Sequence, residues 1–165
     1  MKQTTFDMMV RAYASDLYRF AYWMCRNRWQ AEDLVQETFT AAWKARGALR
    51  DHTAAKAWLF AILRNEHSRM YQRKRVQIEE AEIDELPSTS FPGYERVELV
   101  DALSMLPTHF LDPLLLQILG GFSGREIAEI LAISEQNVMT RLTRARQSLQ
   151  RMAVSHGTRR KARQR

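Results

Sequence analysis

Residues 122–152 read FSGREIAEILAISEQNVMTRLTRARQSLQRM. At a 3.6-residue period Ile127, Ala128 and Leu131, then Val138, Leu142, Ala145 and Leu149, fall on one apolar face, interrupted at Ala132-Ile133-Ser134. This predicts two helices joined by a tight turn. Ser123, followed three residues later by Glu126, is a capping-box start for the first helix, and Ser134 is a natural N-cap for the second. Opposite the apolar stripe, the second helix carries Gln136, Thr140, Thr143, Arg144 and Gln147, flanked by Asn137 and Arg141, with no acidic residue among them. Such a surface suits the major groove, where Arg, Asn and Gln read base edges and Thr reads phosphates or methyls. A helical hairpin with a solvated basic face has the same pattern, and these residues alone leave both readings open.

Composition narrows the partners. The chain has 165 residues, 45% of them apolar, enough for one domain or two small ones with real cores. Its net charge of +6 favours a polyanionic partner. The acids are concentrated: Glu79, Glu80, Glu82, Asp84, Glu85, Glu95, Glu98 and Asp101 crowd a stretch whose only cation is Arg96, so the rest is more basic than the average. The single cysteine, Cys25, excludes an intrachain disulfide and fits a reducing cytoplasm. No signal sequence and no apolar run of about 20 residues is present, so neither secretion nor direct membrane insertion is expected.

From Thr5 to Asn27, Phe6, Met9, Val10, Tyr13, Leu17, Phe20, Ala21 and Met24 recur at helical spacing. A second helix is predicted from Glu32 to Arg46, ended by Gly47. Ala31, Leu34, Val35, Thr38, Phe39 and Ala42 share its core face, while Asp33, Gln36, Glu37, Thr40 and Lys44 share the other, which on composition alone is an ordinary solvated surface. Thr53 is the expected N-cap of a third helix running to about Arg75. Leu59, Ile62, Leu63 and Met70 form its core stripe. Beside them runs a second stripe of Ala54, Trp58, Ala61, Asn65, Arg69 and Gln72 that leads into Arg73-Lys74-Arg75. A stacking ring, an amide and guanidinium groups in one line could hold unpaired bases and their phosphates; equally, Trp58 could belong to the core and the cations to solvent.

The acidic cluster and Leu86-Pro87-Ser88-Thr89-Ser90-Phe91-Pro92-Gly93 read as a linker. Beyond it, Val97, Val100, Leu103 and Leu106 mark a short helix stopped by Pro107. Asp112-Pro113 reads as N-cap and first residue of another helix through Leu119, ended by Gly120-Gly121. The tail His156–Arg165, dense in Arg and Lys, is expected to be disordered. The expected organisation is all-α: a helical bundle at 1–76, a flexible acidic linker at 77–95, a helix-turn-helix domain at 96–153 and a basic tail at 154–165. No catalytic constellation is present. His52, His67, His109 and His156 form no metal-ligand spacing with one another or with Cys25, and no Gly-rich phosphate loop occurs. No enzyme activity, metal or cofactor is expected.

Three separated stretches resemble one family. Ala31-Glu32-Asp33-Leu34-Val35-Gln36-Glu37-Thr38-Phe39 is similar to the region 2 signature of bacterial sigma factors of the extracytoplasmic-function group. Ala57-Trp58-Leu59-Phe60 with Arg64-Asn65 resembles their regions 2.3 to 2.4. Leu103 through Leu149, with Leu106-Pro107, Gly121-Phe122-Ser123, Glu126-Ile127-Ala128 and Arg141-Leu142-Thr143-Arg144-Ala145-Arg146, resembles their region 4.

The resemblance implies a role for each ambiguous face. Asp33, Gln36, Glu37 and Thr40 would dock on the clamp helices of the largest subunit of core RNA polymerase. Arg50, Asp51, His52, Thr53, Trp58, Asn65, Arg69 and Arg73 would read the promoter minus-ten element, with a nontemplate-strand base flipped into a protein pocket. Gln136, Asn137, Thr140, Arg141, Thr143 and Arg144 would read the minus-thirty-five element in duplex DNA. An anti-sigma factor that masks these surfaces is a further implied partner. Two departures from the family pattern stand out. Ala132 replaces the glycine common in the helix-turn-helix turn, which predicts an altered turn. Gln136-Asn137-Val138-Met139 replaces a start that commonly carries a cation at the position of Met139, which predicts a different minus-thirty-five preference. The competing readings are a stand-alone helix-turn-helix regulator with an N-terminal interaction module, and an adaptor that never touches DNA.

Overall fold

The computed structural model of the chain describes residues 2–78 and 100–163, with side chains over 2–73 and 100–154. Every regular element among the described residues is helical, as expected, and the chain divides into two compact units, Met1–Thr89 and Ser90–Arg165. The expected linker, residues 77–95, lies outside the described residues except for 77 and 78, which continue the third helix.

The N-terminal unit is an up-down-up bundle of α1 (Gln3–Cys25), α2 (Arg28–Lys44) and α3 (Ala55–Ile78). Leu17, Phe20 and Ala21 of α1, Ala31, Leu34 and Ala42 of α2, and Leu59, Phe60 and Leu63 of α3 are all fully buried, which is the helical periodicity of the sequence realised as one core. Aromatic contacts link α1 to each of the other two helices. Phe6 meets Trp43 edge-on at 5.0 Å and Phe39 at 6.4 Å, and Phe20 lies 5.4 Å from Phe60. An ion pair of 3.2 Å between Lys56 and Asp16 joins the start of α3 to α1. Thr38, at the centre of the core, satisfies its hydroxyl by donating to the Leu34 carbonyl at 2.7 Å.

Three boundaries differ from the sequence reading. The second helix starts at Arg28, not Glu32, because Asn27 caps it by accepting from the Gln30 amide at 3.1 Å, while Arg26 turns the chain in the left-handed region at φ 52°. It ends at Lys44, and Gly47 sits in the following turn; there the Arg46 guanidinium donates to the Trp43 carbonyl at 2.8 Å and lies 4.1 Å from the Trp43 ring. The entry to α3 is a 3₁₀ turn, His52–Ala54, and its cap is Asp51, not Thr53. Asp51 accepts from the Thr53 amide at 2.8 Å and from the Thr53 hydroxyl at 2.7 Å.

The C-terminal unit comprises a helical stretch at 100–104 (α4), α5 (Thr108–Ile118), α6 (Gly124–Leu131) and α7 (Glu135–Arg163). Leu103, Leu106, Leu114, Leu115, Leu116, Phe122, Ile127, Leu131, Val138, Leu142 and Ala145 form its core. Asp112-Pro113 does not start α5 but lies buried inside it. The Pro107 carbonyl accepts from the amides of Phe110 and Leu111, both at 2.9 Å, and sets the start earlier. As expected, the helix ends at Gly120-Gly121, where Gly121 takes φ +69°. Gly120 is required for a different reason: a Cβ there would stand 2.4 Å from the Phe122 ring and 2.6 Å from the Leu116 carbonyl oxygen.

The helix-turn-helix follows the predicted caps. Ser123 accepts from the Glu126 amide at 3.3 Å while Glu126 accepts from the Ser123 amide at 2.8 Å, and Ser134 accepts from the Asn137 amide at 3.2 Å. Between the helices Ala132 adopts φ 53°, ψ 45°, and the Ile133 amide returns to the Ala128 carbonyl at 3.1 Å. The chain therefore keeps the tight turn that glycine would make and accepts a strained alanine in it. Helical backbone continues through Arg163, beyond the start of the tail at His156 where composition suggests disorder. Arg, Lys, Gln and Ala are good helix formers, and they extend a helix already nucleated by the core.

Three outcomes are expected. Gly120→Ala lowers the stability of the C-terminal unit by about 1–3 kcal/mol in urea unfolding, through overpacking against Phe122. Ala132→Gly raises it by up to about 1 kcal/mol, by relieving the left-handed alanine. Hydrogen bonds from Thr53 favour the ionised form of Asp51 and hold its carboxyl below the usual carboxylate range. The 3₁₀ turn should therefore be fully formed at neutral pH and released only as pH falls below that range, a change that the Thr53 amide resonance would report.

Candidate functional site

Packing of α2 between α1 and α3 leaves one side of it in solvent. Asp33, Gln36, Glu37 and Thr40 are all exposed on that side, opposite the buried Ala31, Leu34, Thr38 and Ala42. The neighbouring Glu32 is engaged within the helix by Arg28 at 2.9 Å, an interaction that also raises the Arg28 pKa. What remains is an acid-and-amide stripe suited to cationic and hydrogen-bond-donating side chains on another protein. Trp29, 71% exposed, stands one helical turn before Asp33 and prolongs the stripe with a large apolar surface. The amphipathic reading misses it. The available signal is its spacing of four, seven and eleven residues from Asp33, Gln36 and Thr40.

The loop into α3 and the outer side of α3 form a second face. Arg50, Asp51, His52 and Thr53 are exposed, and both Asp51 carboxylate oxygens are held by Thr53, so Asp51 shapes this loop as well as bordering the face. Along the helix, Trp58 is half-buried while Asn65, Arg69 and Arg73 are exposed. Trp58 is therefore neither wholly core nor wholly surface: part of its side chain is covered by the protein and part is open to solvent. The stripe from Trp58 to Arg69 extends roughly 16 Å at about 1.5 Å per residue. Arg69 is not a free cation. Its guanidinium pairs at 2.9 Å with the nearly buried Glu66 carboxylate, which fixes its direction and leaves its other donors for a ligand. The side chains of Lys74 and Arg75 lie outside the described residues.

The third face is the N-terminal half of α7. Gln136, Asn137, Thr140, Thr143 and Arg144 are exposed and Arg141 is half-buried, while Val138, Leu142 and Ala145 anchor the opposite side in the core. The turn at Ala132 and the Ser134 cap fix where this surface points relative to α6. Of the two roles expected of threonine, phosphate or methyl contact, the geometry of Thr140 and Thr143 favours the second. Thr140 donates to the Gln136 carbonyl at 3.0 Å and Thr143 to the Met139 carbonyl at 2.9 Å, so both protons are committed to the helix and the methyls are what these side chains add to the surface. Arg146, outside the predicted set, donates to the Gln117 side chain and links α7 to α5.

Two of the faces lie in the N-terminal unit and one in the C-terminal unit, and none is an enclosed cavity of the kind that holds a small substrate. Among the described residues no group of acidic, histidine and cysteine side chains is arranged to hold a metal ion, and no helix is long and apolar enough to cross a membrane.

Residues 9–76 match Sigma-70 region 2, and residues 96–149 match Sigma-70, region 4. The ECF RNA polymerase sigma factor SigM of Bacillus subtilis (strain 168) is 34% identical over 154 residues, covering 88% of this chain and 93% of that protein. Among solved structures, the complex of the sigma factor RpoE with the anti-sigma factor NepR from Bartonella quintana contains a similar chain, with a TM-score of 0.74 at 28% identity, covering 90% of this chain and 96% of that one. CnrH in complex with the cytosolic domain of CnrY gives a TM-score of 0.70 at 26% identity, covering 93% and 90%. With both regions matched in order and a relative at this identity across nearly its full length, the chain belongs to the extracytoplasmic-function group of sigma-70-family RNA polymerase sigma factors, non-enzymatic proteins that direct RNA polymerase to promoters.

Proposed function

We propose that the three exposed faces divide the work of initiation among themselves. Asp33, Gln36, Glu37 and Thr40, with Trp29 at their edge, bind the clamp helices of core RNA polymerase. The observation that carries this assignment is that all five side chains face solvent on one side of a helix whose other side is fully buried. All four polar side chains are already exposed, so docking does not require a buried contact to be broken.

Arg50, Asp51, His52, Thr53, Trp58, Asn65, Arg69 and Arg73 receive the nontemplate strand of the minus-ten element. An unstacked base gains an aromatic surface and an amide at Trp58 and Asn65, and its phosphates meet Arg69 and Arg73. Contacts available only to the opened strand shift the duplex toward opening without any bond chemistry. Gln136, Asn137, Thr140, Arg141, Thr143 and Arg144 read the minus-thirty-five duplex, with the arginines as its main polar contacts. Because residues 77–95 connect the two units covalently, binding of one raises the effective concentration of the other at its site. The work takes place in the cytoplasm, where polymerase and promoter are. An anti-sigma factor is the natural regulator: the solved relatives in complex with NepR and CnrY are bound to such partners or to a cytosolic domain, and an exposed Trp beside an acidic stripe offers one a ready contact.

The test is direct. Asp33→Ala with Glu37→Ala should weaken binding to core polymerase by about tenfold or more, with the circular dichroism spectrum unchanged. Undiminished polymerase binding would remove α2 as the docking face. Arg144→Ala should cost about 1–3 kcal/mol on a cognate duplex and less on a scrambled one if the contact is to a base; equal losses on both would assign it to phosphate.

A further inference from the structure

The outer surface of α7 holds a shallow depression lined by Gln136, Met139, Thr140, Thr143, Arg144 and Gln147. Along the helix Gln136 stands at one end and Gln147 at the other, with Met139, Thr140, Thr143 and Arg144 between them. Met139 is 51% exposed, an unusual position for a large hydrophobic side chain on a helix that meets a polyanion. Its sulfur lies 3.5 Å from where a side chain on Gly124 would begin, and the Glu135 carboxylate lies 3.8 Å from the same point, so the thioether rests against the first turn of α6. Thr140 and Thr143 turn their hydroxyls back to the Gln136 and Met139 carbonyls at 3.0 and 2.9 Å. Their methyl groups therefore join the Met139 side chain on one surface.

We infer that Met139, with the Thr140 and Thr143 methyls, is the specificity-determining patch of this helix and selects thymine in the minus-thirty-five element by contact with its C5-methyl group. In the major groove thymine alone carries a methyl group, beside its O4 acceptor; adenine, guanine and cytosine offer this patch donors and acceptors but no methyl to contact. The Glu135 carboxylate beside it disfavours a phosphate at this point, which also argues for a base edge. The inference rests on the reading of α7 as the minus-thirty-five reader and names what its centre reads.

The experiment uses the full chain with core polymerase. Duplexes that this holoenzyme retains from a randomised library are sequenced, and each thymine of the preferred minus-thirty-five element is replaced in turn by deoxyuridine, which lacks only the methyl. At one or two positions the replacement should weaken binding about fourfold per methyl, the effect of removing one buried methyl-sized group. Met139→Ala should abolish that penalty at one position. Thr143→Ser, which keeps the hydroxyl and deletes only the methyl, should reduce it. Indifference of the unaltered protein to deoxyuridine at every position would overturn the inference, as would penalties of equal size in the unaltered protein and both variants. If the library yields no preferred duplex, the assignment of α7 as a promoter reader falls, and the methyl reading falls with it; a preferred duplex without methyl dependence leaves that assignment standing and removes only the thymine contact.

Discussion

The reversal of the chain between α6 and α7 is the constraint on which the exposed face of α7, the proposed DNA reader, depends. One residue, Ala132, takes the left-handed conformation, and the Ile133 amide closes back on Ala128. An alanine held there costs about 1–2 kcal/mol. Burial of Val138, Leu142 and Ala145 on the far side of the turn offsets that cost, because these side chains reach the core only if the helix axis changes direction here. Were Ala132 right-handed, α6 and α7 would tend toward one continuous rod. The exposed face of α7 is thus a by-product of core burial acting through a single strained residue.

In the N-terminal unit the corresponding constraint is the position of α2 between two helices. Leu34 and Thr38 are fully enclosed, and the Thr38 hydroxyl bonds within its own helix, so the core makes no polar demand on α1 or α3. Everything charged on α2 must then lie on the remaining side. The same arrangement separates chemistries within one small bundle: carboxylates and amides outward on α2, a ring, an amide and guanidinium groups along α3. A protein that must hold a protein and a nucleic acid together benefits from such segregation, since each surface repels the other's ligand.

Much of this was legible in the chain, because periodicity is local. Leu17, Phe20, Leu34, Leu59, Leu63, Val138 and Leu142 announce their burial at three- and four-residue spacing, and each is fully buried. Capping box and N-cap at Ser123 and Ser134 are equally local, needing only residues three positions away. Boundaries decided by longer-range burial were less legible. Asp112-Pro113 has the chemistry of a helix start yet lies inside α5, because burying Leu114, Leu115 and Leu116 together requires the turn before it to be helical as well. Nothing local marks Ala132 as left-handed, since alanine alone prefers the right-handed region. Trp29 is hidden for a different reason: a helix read from Glu32 leaves it outside, and only the start at Arg28, capped by Asn27, puts it on the same face as Asp33, Gln36 and Thr40. The Arg69–Glu66 pair and the inward-turned threonine hydroxyls likewise depend on rotamers that spacing does not specify.

Trp29 also has an optical consequence. Of the four tryptophans, Trp23, Trp43 and Trp58 are half-buried against the bundle, and Trp29 alone stands open to water. An indole in water emits at longer wavelength than one in an apolar contact, so coverage of the outer side of α2 changes the emission of this one ring more than that of the others. The chain carries an intrinsic fluorophore at the edge of the stripe proposed for docking, and occupancy of that stripe would be encoded in the colour of its own light.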